Sequence, residues 1–382
     1  MIRLDAVLTT PPPAPRLAAA LAAAFALAAC SAAPRPPSPD VTAAAPDAPF
    51  ALPGPAAAPA AFPAPDLVLP MPDGLALPAR AWLPPPGTPV RRAILALHGF
   101  NDSRDAWAIP APAFAAAGSA VIAPDLRGFG ATPTRGRWPG ADALVSDAAA
   151  SVRAVRARFP GVPVVVMGES MGGAVALLLA ATPGDAPDAT VLLAPAVWSR
   201  AELGPVLSAT LSAAAALAPA HEVTGRELPL RVVATDNRAA LLALIHDPLT
   251  IHATRLDVLA GLVDLMDRAA LAAPRARGPV LVLDGGHDRI VPPAATAATW
   301  AALPASARRA FYPSGYHLLL RDRDRALPTA DIAAWLDTPD RWLPSGADVA
   351  AAAWTANHDW RDEPAPWLPA NLDGLAGHDP LP

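Results

Sequence analysis

The stretch Gly168-Glu169-Ser170-Met171-Gly172-Gly173 constrains this chain more than any other. It stands between a β-branched run, Val162 to Met167, and an apolar run of helical composition, Ala174 to Ala181. The pattern reads as strand, tight turn, helix, with a serine at the apex. Glycines belong at 168 and 172 because a strained strand-to-helix turn leaves no room for side chains there. Such a turn lifts the serine hydroxyl to the carboxyl end of a sheet. The following helix sets backbone N–H groups and the positive end of its dipole beside that hydroxyl.

A serine hydroxyl is a weak nucleophile until a base takes its proton, and the base needs an acid to orient it. Candidates for both lie downstream. Gly278 to Leu283 reads as a buried strand, and the Gly285-Gly286 turn after it delivers Asp288. Ala310 to Tyr312 reads as a short strand whose loop delivers His317. Asp284 competes with Asp288 for the role of acid, its other reading being a cap for the turn that follows. Upstream, the strand Ala93 to Leu97 ends in His98-Gly99-Phe100. That loop offers the Phe100 N–H as one oxyanion donor, and Met171, next after Ser170, offers the other.

The remaining candidates read more blandly. His98 suits a structural place in the oxyanion turn, and His287 is expected to point away from Asp288. His221, His246 and His252 fall in a cap region, and His358 and His378 in the tail. Glu169 reads either as a group supporting the site or as a packing or solvated residue. Neither an H-E-x-x-H motif nor clustered cysteines are present, so metal catalysis is not expected and no cofactor is implied.

Taken together, residues 66–337 resemble the α/β-hydrolase superfamily, and within it the monoacylglycerol lipase and lysophospholipase branch of serine aminopeptidase S33 type. The resemblance rests on His98-Gly99-Phe100, Pro124-Asp125-Leu126-Arg127-Gly128-Phe129-Gly130, the serine turn, Asp288-Arg289-Ile290-Val291 and Tyr316-His317, in that order. It implies an α/β-hydrolase fold: a mostly parallel sheet with helices on both faces and an inserted helical cap. It also implies a Ser170-Asp288-His317 triad acting on carboxylic esters of single-chain lipids. A small-ester esterase, an acyltransferase or a peptidase on the same scaffold stays open. A non-catalytic protein that kept the fold is disfavoured by the complete triad.

The alternation of strands and helices supports such a sheet. Residues 66–83 read as two antiparallel strands around Pro72-Asp73-Gly74. Strands then fall at 92–97, 119–123, 162–167 and 190–194, with helices near 103–117, 141–159 and 171–182. Between Pro195 and Val280 the pattern turns helical, over Leu207 to Leu217, Arg238 to Ile245 and Ile251 to Met266. We take roughly 197–275 as the cap. Its apolar positions Leu256, Leu259, Val263 and Met266 either complete a core or line an acyl groove. The tail, 338–382, carries Trp342, Trp354, Trp360 and Trp367 and is expected to pack on the domain surface or touch a membrane interface. Arg321-Asp322-Arg323-Asp324-Arg325 reads as a solvated charge run.

The amino terminus reads as an address. Arg16 precedes Leu17 to Ala29, a run of Ala, Leu and Phe that suits a signal peptide better than a span, which needs ~18 or more residues. It ends in Leu27-Ala28-Ala29-Cys30, and Cys30 is the only cysteine. This resembles a bacterial lipobox: residues 1–29 a leader, Cys30 the lipidated first residue, 30–65 a Pro/Ala-rich tether. The expected location is the bacterial cell envelope, membrane-anchored through that lipid, with plain secretion as the alternative. One cysteine allows no internal disulfide, so stability must come from the core, for which 382 residues suffice. The net charge of −5, carried without a single lysine, gives no basic stripe for nucleic acid.

Overall fold

The computed structural model describes residues 62–184, 186–224 and 233–357. The leader, Cys30 and the tether as far as residue 61 lie outside them, as do Trp360 and Trp367. Along the chain, strands β1 (Leu67–Pro70) and β2 (Ala76–Trp82) form a hairpin, then β3 (Arg92–Leu97) follows. A 3-10 turn, Arg104–Trp107, and helix α1 (Ala111–Ala116) stand where one helix over 103–117 is expected. Pro110 begins α1 and interrupts the pattern, since a proline suits a helix start and not its interior. Strand β4 (Ser119–Pro124), helix α2 (Ala141–Arg158), β5 (Val164–Glu169), α3 (Met171–Ala181) and β6 (Ala189–Leu193) complete the alternation.

The next segment holds α4 (Arg200–Leu203), α5 (Pro205–Leu217), β7 (Glu222–Thr224), α6 (Arg238–His246), β8 (Ala253–Arg255) and α7 (Leu256–Ala272). It also contains a feature that helical spacing does not announce: β7 and β8 pair antiparallel, Val223 opposite Thr254. Residues 253–255, expected to be helical, are therefore extended. The chain closes with β9 (Val280–Gly285), α8 (Pro293–Ala302), β10 (Arg308–Tyr312), α9 (Ala326–Asp337) and α10 (Ala347–Asn357).

Eight strands form one sheet in the order β1-β2-β4-β3-β5-β6-β9-β10. Within this sheet, among the described residues, only β1–β2 and β2–β4 pair antiparallel and the other pairs are parallel. This is the α/β-hydrolase fold. Parallel strands need crossovers, and the crossover helices bury both faces of the sheet. One face, with Leu95, Leu97, Val166 and Val282, packs under α2, α3 and α7. The other, with Ile94, Val121, Met167 and Leu281, packs under α1 and α9 through Phe114, Ile332 and Trp335. Helix α7 is not purely a cap element. Its Leu265, Ala269 and Ala272 join the first of these cores, and it packs along α3. The described part of the carboxy-terminal tail, residues 338–357, packs on the domain: α10 lies on edge strand β10, with Trp354 buried and Trp342 left exposed.

Candidate active site

The turn at Ser170 has the strain expected of it. Its φ is 52° and ψ −115°, a left-handed conformation that non-glycine residues adopt only where surroundings impose it. Here they do. The Ser170 N–H donates to Leu193 O at 2.9 Å, and the Ser170 carbonyl accepts from Ala174 N at 3.0 Å and Ala196 N at 2.8 Å. A side-chain carbon at Gly168 would collide with the Gly172 carbonyl, and one at Gly172 with the Leu97 carbonyl. Helix α3 can thus start directly against β3 and β5 only with glycine at both places.

Strand β9 ends beside β5 through β6, and its loop carries Asp288 towards Ser170's end of the sheet. Asp288 Oδ1 accepts from Ile290 N at 2.7 Å and Val291 N at 3.1 Å, which locks the carboxylate. Its Oδ2 lies 2.7 Å from His317 Nδ1. Both residues are buried. Burial alone would lower the His317 pKa; the charge and hydrogen bond of Asp288 outweigh it, so the imidazole sits above the ordinary histidine value. Ser170 and His317 line one cavity. Phe100 lines it too, and Met171 opens α3 beside it. Among the described residues, neither the Phe100 nor the Met171 N–H has a hydrogen-bond acceptor.

Asp284 is not the residue that orients His317. It is fully buried and accepts from Trp300 Nε1 at 2.8 Å. Burial, with the Asp288 charge adding to it, pushes its carboxyl up to about 7. His98 is structural: Nε2 accepts from Leu126 N at 2.9 Å while Nδ1 lies 2.7 Å from Gly99 O, fixing the oxyanion turn. His287 lies edge-on to Tyr316, with ring centroids 5.1 Å apart.

The cavity measures about 350 Å³. Its lining is mostly apolar, with Trp198, Leu244, Leu262, Met266 and Val291, and also includes the buried charged residues Asp102, Glu169 and Arg321. Of the α7 stripe expected as core or groove, Met266 reaches the cavity, joined by Leu262, whereas Leu256 is buried and Leu259 and Val263 are not among the lining residues. Arg135 donates to the carbonyls of Leu249 and Thr250 and so fastens the cap loop whose Thr250 closes the cavity.

Arg321 and Asp322 overturn the expectation of a solvated charge run, because both are buried. Arg321 donates from Nη2 to Glu169 and from Nη1 to Asp102 Oδ2 at 2.8 Å. Asp322 Oδ2 accepts from Tyr316 N at 2.8 Å, and burial raises its carboxyl to about 6. Sequence reading missed this cluster. Its only signal was position: Asp102 stands two residues after Phe100, Glu169 one before Ser170, and Arg321 four after His317.

Comparison with known proteins agrees with the fold. The sequence profile of the serine aminopeptidase S33 family matches residues 88–324. A monoacylglycerol lipase of Mycolicibacterium smegmatis is 27% identical over 254 residues, covering 66% of this chain and 90% of that protein. The monoacylglycerol lipase of Paleococcus ferrophilus superposes with a TM-score of 0.57 at 22% identity, over 68% of this chain and 98% of that one. A soluble variant of the monoglyceride lipase of Saccharomyces cerevisiae, solved with a substrate analogue, gives 0.60 at 18% identity, over 73% and 98%.

Proposed function

Since this chain belongs to the serine aminopeptidase S33 family, we propose that it hydrolyses carboxylic esters of single-chain lipids through an acyl-enzyme on Ser170. In this reading His317 takes the Ser170 proton as the oxygen attacks the ester carbonyl. Asp288, held by two backbone amides, keeps the His317 tautomer and balances the imidazolium that forms. The Phe100 and Met171 N–H groups receive the oxyanion, each such donor being worth about 3 kcal/mol in a water-poor site. His317 then protonates the leaving alcohol, and water repeats the sequence on the acyl-enzyme.

The observation that carries the reading is the mostly apolar cavity beside Ser170. Such a lining suits an acyl chain. The charged residues among its described lining are two carboxylates and one guanidinium already engaged by both, so among the described residues an anionic head group finds no free cation there. A neutral glycerol ester fits this charge balance better than a phosphate ester. Monoacylglycerols should therefore turn over at least roughly tenfold faster than lysophosphatidates of the same chain. Across a chain-length panel, kcat/KM should rise with each buried methylene, each worth ~0.8 kcal/mol. Leu262→Asp should flatten that rise while leaving short esters much less affected. Equal rates for both head groups, or an unchanged long-to-short ratio in a folded Leu262→Asp variant, would contradict the assignment.

The same reading extends to location. A substrate that partitions to a lipid surface suits an enzyme held there by acylated Cys30, since two or more chains anchor stably where one is marginal. Expressed in a bacterium with lipoprotein processing, the protein should fractionate with membranes, and Cys30→Ser should remain unprocessed or become soluble. An unmodified mature terminus, or cleavage elsewhere than before Cys30, rules the anchor out.

A further inference from the structure

Glu169, Arg321 and Asp102 are each about 95% withdrawn from solvent. Burying three charges is costly, and a well-packed apolar replacement is often as stable, so stability alone does not account for the cluster. Its attachment points are informative. Asp102 lies on the loop that presents Phe100, and its second oxygen accepts from Ser103 N at 2.8 Å. Glu169 is the last residue of β5, joined directly to Ser170. Arg321 closes the 3-10 turn Leu319–Arg321 that follows His317, and its carbonyl accepts from Asn237 Nδ2 at 2.9 Å. One guanidinium thereby spans the three loops that carry the oxyanion donor, the nucleophile and the base. A planar fork holds two carboxylates in fixed directions, which a lysine ammonium does not.

The cluster also bears on charge at His317. The groups facing the imidazole are Asp288 and Asp284 from β9 and its loop, and Glu169 from β5. Arg321 stands behind Glu169, with Asp102 beyond it, while Asp322 turns to Tyr316 N and His287 to the Tyr316 ring. Every one of these near neighbours except Arg321 and His287 is a carboxyl group. Without the guanidinium, Glu169 would stand unbalanced beside the base and favour its protonated form.

We propose that Arg321 is a positioning residue for the reaction: it clamps the oxyanion, nucleophile and base loops together and offsets the Glu169 charge beside His317. The proposal rests on the esterase reading above. The two halves separate in the pH profile of kcat/KM for a soluble ester and of the fluorophosphonate labelling rate. Arg321→Met should move the acid limb up by about one pH unit and lower the plateau of kcat roughly tenfold or more, with KM nearly unchanged. Glu169→Gln should move the limb down. Arg321→Met/Glu169→Gln should bring the limb back near the wild type without restoring kcat. Arg321→Lys should keep the limb and recover only part of kcat.

A purely structural role would leave the limb in place in every folded variant. Should Arg321→Met not fold, Glu169→Gln keeps the shape of the wall and carries the test by itself. An unmoved acid limb in Glu169→Gln, at wild-type melting temperature, overturns the charge half of the proposal. A wild-type kcat plateau in folded Arg321→Met overturns the clamp. A wild-type protein that neither labels nor cleaves esters overturns the esterase reading instead.

Discussion

Ser170→Ala is expected to lose covalent labelling by a fluorophosphonate altogether and to lower kcat by about 10⁴–10⁶-fold. The variant removes one oxygen and leaves everything around it. The left-handed turn is imposed by bonds from Leu193, Ala174 and Ala196 to the backbone of residue 170, and none of these involves the hydroxyl. Alanine bears the same positive φ at much the same cost as serine, so the melting temperature should shift by no more than about 2–4 °C. The cavity and the two amides remain, so some rate above that of water persists. Intact-mass measurement after labelling decides the matter. Stoichiometric adduct on the variant would place the nucleophile elsewhere.

The second large effect separates two carboxylates four residues apart, Asp284 in β9 and Asp288 in the loop that follows it. Asp288→Asn should lower kcat by about 10⁴-fold, because an amide that donates to Nδ1 holds the wrong tautomer of His317. Asp284→Asn should cost far less, since near neutrality Asp284 carries much of its proton and serves as the acceptor for Trp300, which an asparagine oxygen also does. The same variant has a signature in stability. A carboxyl raised from 3.8 to about 7 holds its proton in the folded chain after the unfolded chain has released it. Its contribution is fully present below pH 3.8 and is lost as pH rises through about 7. The total is about 4 kcal/mol. Asp284→Asn does not titrate, so its melting temperature should gain on the wild type between pH 5 and pH 8. A constant gap across that range, or equal activity losses at 284 and 288, would reverse the assignment.

What was legible in the sequence was whatever the backbone dictates locally. Gly168 and Gly172 announce the serine turn because only glycine lets α3 start against β3 and β5. Asp288 and His317 follow strands with strong β-branched or apolar runs, and chain order did the rest. The β-sheet was legible for the same reason, being built from short buried runs between turn residues. The illegible parts depend on tertiary neighbours. Arg321 sits in an alternating charge run, and no spacing reveals that the oxyanion loop and the elbow close over its first member. The β7–β8 pair joins segments about thirty residues apart, each only three residues long, too short to show a period. Leu262 and not Leu259 reaches the cavity because α7 also packs on α3, which turns the stripe away from the pocket. Asp284 reads as a turn cap until the indole of Trp300 and the apolar wall around it are in view.

Trp354 of that wall comes from α10, which lies beyond the residues the family profile covers. Trp354 stacks on Phe311 at 5.0 Å and meets Trp300 edge-on at 5.1 Å. Behind the two aspartates it leaves a gap of about 10 Å³, hardly room for one water molecule. Seen electrically, the helix is insulation. It holds the medium behind the triad acid at low permittivity, and that medium keeps the Asp284 proton in place. A protein cut at the family boundary near residue 324 would keep all three triad residues and lose this sheath together with α9, whose Ile332 and Trp335 belong to the core. Bulk water would then reach Asp284, its proton would leave at lower pH, and a second negative charge would stand next to the one that orients His317. The working unit of this hydrolase therefore extends through Asn357, farther than its motifs do.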